Sequence, residues 1–307
     1  MDQNNAYIRF KARDDFKKAR SRATISQLLS SFTPERQQLL SLEDIRKLLK
    51  PTGESYRGLR VVPIEKIVGS EGRYNDFTKA FLPKRDFIRG RWESVDRAHL
   101  ADVILPAIKL YEIGGVYFVR DGNHRVSVAR MQGGEAIDAE VIALDSKISL
   151  DPGMTVNDLK RAVIDYEKRQ VFKDTGLGSV VPPDEIDFSE PGRYVEILRH
   201  IQGHKYFLNE NQSEEIPFLQ AAASWYKNVY SPIIDIIQRE NIITRFPGRT
   251  MSDLYMWIIK HWDGLKKKYG NNFSLHVAAL DYSERYGTGL WGQFVLFIKR
   301  IFGKTGP

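Results

Sequence analysis

An α/β domain followed by an all-α domain is the architecture this sequence predicts, and three observations predict it. Between residues 58 and 145, short β-rich runs alternate with helical periodicity. From about Thr155 onward the spacing of apolar residues becomes almost wholly helical. The length, 307 residues, suits roughly two domains, and a hydrophobic content of 42% supplies ordinary globular cores and excludes a disordered chain.

Composition narrows the chemistry. There is no cysteine, which removes disulfides, thiolate metal ligands and a cysteine nucleophile. The net charge of +7 allows an anionic partner, and +5 of it falls in residues 1–50. The opening "MDQNNAYIRFKARDD" has no signal-type apolar core, and no apolar run approaches the ~20 residues a membrane span needs. The expectation is a soluble cytoplasmic protein without a transmembrane segment.

The elements are expected in this order. Residues 8–31 form a basic helix with an apolar patch at Ile25, Leu28 and Leu29. A second helix runs from Pro34 to Leu49, with Thr33 as N-cap and Pro51 beyond its end. Leu59 to Val62 make a short strand stopped by Pro63, and Ile64, Ile67 and Val68 a helical turn. Residues Ser70 to Arg91 read as a charged loop, and Val95 to Leu110 as a helix kinked at Pro106. Gly114-Gly115 turn the chain into a strand, Val116 to Val119. A loop, Arg120 to Asn123, leads to a helix, His124 to Met131. Gly133-Gly134 end that helix, and a strand follows from Ile137 to Leu144. A helix over 155–171, a linker or long loop over 173–193, and helices at 194–201, 213–240, 251–269, 273–286 and 289–302 complete the chain. The domains are then 1–57, a basic helical segment; 58–150, the α/β domain; 151–193, helix and linker; and 194–307, the helical domain.

The candidate site is "VRDGNHRVSVAR", Val119 to Arg130. A strand that turns straight into a helix presents unpaired backbone N–H groups and the positive end of the helix dipole. Gly122 permits close approach of a ligand, and His124 and Arg125 add side-chain donors suited to phosphate. Asp121 can hold a metal ion, orient His124 or cap the helix. The plainer alternative is that Asp121 and Asn123 only build a turn and cap.

These residues resemble a known family. "VPIEKIVGSEGRYNDF", a helix, and "VYFVRDGNHRVSVARMQGGEAIDAEVI" are similar to the ParB/sulfiredoxin-like superfamily over about residues 58–145. The resemblance implies a small mixed sheet with helices and a turn that binds nucleotide phosphates through Gly122, Asn123, His124 and Arg125, with Ser127 and Arg73 beside them. CTP, ATP and ADP are all compatible, with Mg²⁺ to screen the phosphates. Sulfiredoxin chemistry is excluded, since it needs a cysteine. The turn is closer to that of the small-molecule kinases, which use an acid just after the opening segment. Glu71 stands about there and would take a proton from an acceptor hydroxyl, with Asp121 and His124 as its catalytic neighbours. As an alternative, Glu71 is an exposed loop carboxylate. "AAASWYKNVYSPIIDII" and "FPGRTMSDLYMWIIKHW" resemble an uncharacterised bacterial family that joins such a half to a helical one.

Several features stay open. Arg249 could project from its loop into the nucleotide site of its own chain or a second copy. His200 and His204 have metal-like spacing, but Gly203 interrupts them and no Glu follows. Trp291, Phe294, Val295, Ile298, Ile301 and Phe302 form an apolar face that could dock on the body, serve a homodimer or meet a membrane surface. The leading function is nucleotide binding with a regulatory, phosphotransfer or NTPase role. The rivals are a DNA-binding protein or ParB-like nuclease, and a non-catalytic scaffold. Asp14 and Asp15 interrupt the basic series in the first helix, so any DNA binding there should be weak and lost at physiological salt.

Overall fold

A computed structural model describes residues 2–29, 38–210, 214–270 and 274–288. They divide into two compact units, with the boundary between Lys160 and Arg161. The expected helix start at Thr33-Pro34 and the apolar segment 289–302 lie outside the described residues.

The first unit is built on a six-stranded mixed sheet in the order β1-β3-β5-β4-β6-β2. Its strands are β1 (Leu40–Ser41), β2 (Glu54–Pro63), β3 (Ile67–Ser70), β4 (Ile108–Ile113), β5 (Val116–Asp121) and β6 (Ala136–Leu144). β5 lies parallel to β3 and antiparallel to β4, while β4 is parallel to β6. The helices are α1 (Asp2–Leu29), α2 (Leu42–Leu49), α3 (Arg89–Leu100) and α4 (Asn123–Met131). α1 packs on α3, and α3 on α4. Phe16, Trp92, Val126 and Val128 from these helices share one core with Ile108, Leu110, Val119, Ala139 and Val141 of the sheet.

The segment 1–57, expected as a basic helical segment packed on the main body, contributes α1, β1, α2 and the start of β2 to this unit. The buried stripe of α1 is Ala12, Phe16, Ala19 and Ala23, whereas Ile25 and Leu28 are exposed. Small residues let α1 approach closely, and Phe16 meets Trp92 edge to face at 5.5 Å. The charges of α1 pair locally, Lys11 with Asp15 at 2.9 Å and Lys18 with Asp14 at 2.7 Å. Of the second expected helix only 42–49 is helical among the described residues, capped by Ser41.

The expected helix from Val95 to Leu110 is incorrect. The helix begins earlier, at Arg89, and ends at Leu100; Asp102 then takes a positive φ and Ile108–Ile113 form β4. Pro106 removes a helical N–H, and the Gly114-Gly115 turn lets Ile108–Ile113 fold back on β5 as a hairpin. Val103 and Ile104 lie exposed in the connection before β4 and only Ile108 is buried, so the helix-like spacing of the three joins residues from two environments. Likewise Ile67 and Val68 are strand residues, both buried between β1 and β5.

Arg130 ties α4 to the segments around it. Its guanidinium donates to the carbonyls of Ile64 (2.6 Å), Ile67 (2.8 Å) and Lys79 (3.3 Å), and lies over the Phe81 ring. Arg130→Met should cost roughly 2 kcal/mol, because buried carbonyls lose a charged donor. Urea unfolding of the variant checks this; an unchanged midpoint refutes it.

The second unit is helical: the main part of α5 (Val156–Thr175), then α6 (Arg193–Asn209), α7 (Phe218–Trp225), α8 (Ser231–Arg239), α9 (Met251–Tyr269) and α10 (Leu275–Tyr286). The expected single helix 213–240 begins later, at Phe218, and continues to Arg239 through a π-helical turn, Tyr226–Tyr230, just before Pro232. Proline cannot donate to the carbonyl one turn back, and the extra residue relieves that conflict. The segment 173–193, expected as a linker or long loop, is largely loop after Thr175, but a packed one: Leu177, Val181, Ile186 and Phe188 are buried in the core of this unit. No helix among the described residues is long and apolar enough to cross a membrane.

Candidate functional site

β3 and β5 are parallel neighbours, so the loops that follow them leave the same edge of the sheet. Ligands of open α/β sheets bind at such carboxyl ends. Here the two loops bound a cleft of about 380 Å³ lined by Glu71 to Arg73, Arg91, Val95 and Arg120 to Arg125. The loop after β3 is tied down by Ser70, whose hydroxyl donates to Val119 O at 3.2 Å and accepts from the Arg73 backbone N–H at 3.3 Å. The Glu71 N–H donates to Val119 O at 2.9 Å.

The turn after β5 depends on Gly122, which has φ 109° and ψ 20° and serves as the N-cap of α4. Having no side chain, it leaves the first N–H groups of α4 without a side-chain cap. A Cβ at this position would run into Ile108 of β4, whose own Cβ would stand 2.8 Å away. Close packing of the turn on β4 thus demands glycine independently of its φ.

The predicted residues separate into three groups. Gly122, Asn123, His124, Arg73, Glu71 and Asp121 all line the cleft. Arg125 lines it too, but its terminal nitrogens are engaged: one donates to Asp121 at 2.7 Å, the other to the carbonyls of Pro106 and Ala107. Its place is to hold Asp121 and the entry to β4. Ser127 is not a cleft residue. It is buried, donates to Phe81 O at 2.5 Å and accepts from the Trp92 indole at 2.8 Å. Arg249 belongs to the second unit, where it donates to Ser189 at 2.9 Å and Glu190 at 3.2 Å and lies over Trp257. A surface-projecting role would require those contacts to break.

Sequence reasoning missed Arg91 and Arg120. Arg91 fell in the expected loop because the start of α3 was placed too late, and Arg120, though inside the quoted turn, was given no role there. With Arg73 and Arg125 they put four arginines around the cleft against Glu71 and Asp121. Arg73 pairs with Asp76 at 3.1 Å. Among the described residues no carboxylate pairs with Arg91 or Arg120, and Arg120 lies beside the Tyr111 ring at 5.6 Å. The excess of positive charge is therefore concentrated in two unpaired guanidinium groups.

His124 is buried edge-on against Phe77, 5.6 Å between ring centres. Burial, and then the charges of Arg73 and Arg91, push its pKa down to about 4. It is a neutral imidazole near pH 7, and not a cation as a phosphate-gripping role would suggest. Its Nδ1 and the Oδ1 of Asn123 are both buried without a hydrogen-bond partner. Orphaned buried polar atoms are costly, so two at the mouth of one uncapped helix point toward a ligand's polar groups.

Other candidate metal positions are accounted for within the protein. α6 runs unbroken through Gly203, and His200 and His204 face different partners, Tyr255 and Ser224, each at 3.0 Å. No cluster of three metal-ligating side chains occurs among the described residues. Comparison with known proteins finds no similar family model, curated protein or solved structure.

Proposed function

We propose that this is a nucleotide-binding protein whose first unit has a ParB/sulfiredoxin-like fold, and that the cleft takes the phosphate groups. The observation that carries the reading is the open N-terminus of α4. Its uncapped N–H groups face a cleft that also holds Arg91 and Arg120, two cations with no carboxylate partner among the described residues, against one unpaired carboxylate, Glu71. Helix N-termini bind phosphate because unpaired N–H groups and the helix dipole both favour negative charge. In this arrangement the backbone at Asn123 to Arg125 contacts phosphate oxygens, and Arg91 and Arg120 neutralise them. Neutral His124 offers a ring nitrogen without placing a further charge among the arginines.

Mg²⁺ accompanies nucleotides through one or two carboxylates, with phosphate oxygens and water completing its sphere. Asp121 and Glu71 are the cleft carboxylates that would serve, which fits that sparse requirement. Mg²⁺ would screen the phosphate charge. If phosphoryl transfer occurs, exposed Glu71 is the residue able to take a proton from an acceptor hydroxyl, and Glu71→Gln would then stop turnover while sparing binding.

Calorimetric titration with CTP, ATP, ADP and GTP, with and without Mg²⁺, tests the reading. At least one should bind. Arg91→Glu and Arg120→Glu should each weaken it by about tenfold or more, as loss of a charge-assisted hydrogen bond does. Failure of every nucleotide to bind, or unchanged affinity in both variants, would sink the proposal.

A further inference from the structure

A second cleft, of about 440 Å³, runs along α9 and α10 in the helical unit. On α9 its lining includes Trp257, Lys260, His261, Gly264, Lys268 and Tyr269, which form a single stripe at helical spacing. On α10 it is lined by Tyr282, Arg285 and Tyr286. The rings form a continuous cluster. Tyr282 and Tyr286 are 4.8 Å apart between centres, and His261 stands edge-on to both, at 5.5 and 5.9 Å.

Such a cluster would ordinarily close a helical hairpin as core. Two observations mark this one as a surface for a ligand. Tyr269 and Tyr286 remain 55% and 60% exposed, so more than half of each residue is open to solvent. Gly264 lies in the interior of α9, where glycine weakens a helix by about 1 kcal/mol relative to alanine. A Cβ there would meet nothing within 4 Å, so no neighbour requires the glycine. What its missing side chain does is keep the cleft open.

The charges select the ligand. Among the described residues no carboxylate pairs with Lys260 or Lys268. Lys268 lies 5.0 Å from the Tyr269 ring centre. Arg285 is steadied beside Tyr286 by Asp281, at 2.8 Å, and Asp281 also holds His261, at 2.7 Å. Aromatic rings beside cations, at an open cleft, suit flat rings joined by a chain of negative charges.

We propose that the α9–α10 cleft binds a short stretch of single-stranded nucleic acid, bases stacking on Tyr269 and Tyr286 and phosphates meeting Lys260, Lys268 and Arg285. This site lies on the helical unit and is independent of the proposed nucleotide cleft. Sequence-tolerant binding follows, because every base has a face to stack.

Fluorescence anisotropy with the full chain and labelled oligothymidine or oligouridine tests it across a salt series. Binding should appear at low salt. Lys268→Glu and Tyr269→Ala should each weaken it about tenfold, and Lys268→Glu should also lower the salt slope by about 0.7. Gly264→Leu should raise the melting temperature and yet abolish binding, an outcome that misfolding could not produce. Arg91→Glu should leave it unchanged, which separates this site from the first. The proposal is overturned if neither oligonucleotide binds, if inorganic polyphosphate or a mononucleotide competes equally well, or if Tyr269→Ala and Gly264→Leu bind like the parent.

Discussion

Gly122→Ala should destabilise the first unit by roughly 2–6 kcal/mol and abolish nucleotide binding. Two costs combine. A side chain at φ 109° is held in a sparsely populated region, which costs about 1–3 kcal/mol. The new methyl also overlaps Ile108, and overpacking of this kind costs about 1–3 kcal/mol more. The turn can relieve the overlap only by moving away from β4, which would carry the first turn of α4 with it. Gly133→Ala is the control. Gly133 has φ 78°, but a Cβ there would meet nothing within 4 Å, so only the backbone cost applies. Urea unfolding of both variants separates the two terms. Equal losses would show that the contact with Ile108 contributes nothing.

Acidification should destabilise the first unit through His124, by on the order of 3 kcal/mol in total. The folded pKa is about 4, whereas the ordinary value is 6.5. Between those values the unfolded chain takes up a proton that the folded chain refuses. Stability from this group is therefore fully present above about pH 6.5 and is lost as the pH falls toward about 4. Asp76, the nearby carboxylate, opposes the shift but does not outweigh burial and the two arginines. His124→Gln should flatten this part of the stability–pH profile. Chemical denaturation of both proteins from neutral pH to about pH 4 checks it; parallel profiles would mean that His124 titrates normally in the folded state. A bound phosphate should raise the His124 pKa by placing negative charge near the ring, so nucleotide should shift the titration of its NMR resonances upward.

Much of the fold was legible. The β5-turn-α4-β6 unit stands close to where Val116, Gly122, Gly133 and Ile137 put it, because alternation, a turn glycine and helical spacing all agree there. Thr250 caps α9 through a reciprocal box with Asp253, a local signal of the kind sequence carries well. β4 was not legible. Ile104 is 96% exposed and Ile108 fully buried, so the apolar spacing that suggested a helix mixes residues from two environments. The buried core of 173–193 was hidden for a similar reason. Its four anchors are scattered among glycine, proline and acid with no period to betray them.

By itself the sequence determined where unpaired backbone N–H groups would be offered, since Gly122 and the helix after it are a matter of local conformation. It also determined which chemistry is absent, for a chain without cysteine has no thiolate. Only the tertiary structure decided which side chains share the cleft and in what state. Arg91 comes from α3 and Arg120 from β5, and their convergence depends on long-range packing that no local pattern encodes. The same packing turned Ser127 into the core, committed Arg125 to Asp121 and two carbonyls, and buried His124 until its ring became neutral. A backbone turn follows from the conformational limits of a few adjacent residues. A side chain's charge, partners and exposure follow from whatever the rest of the chain places around it.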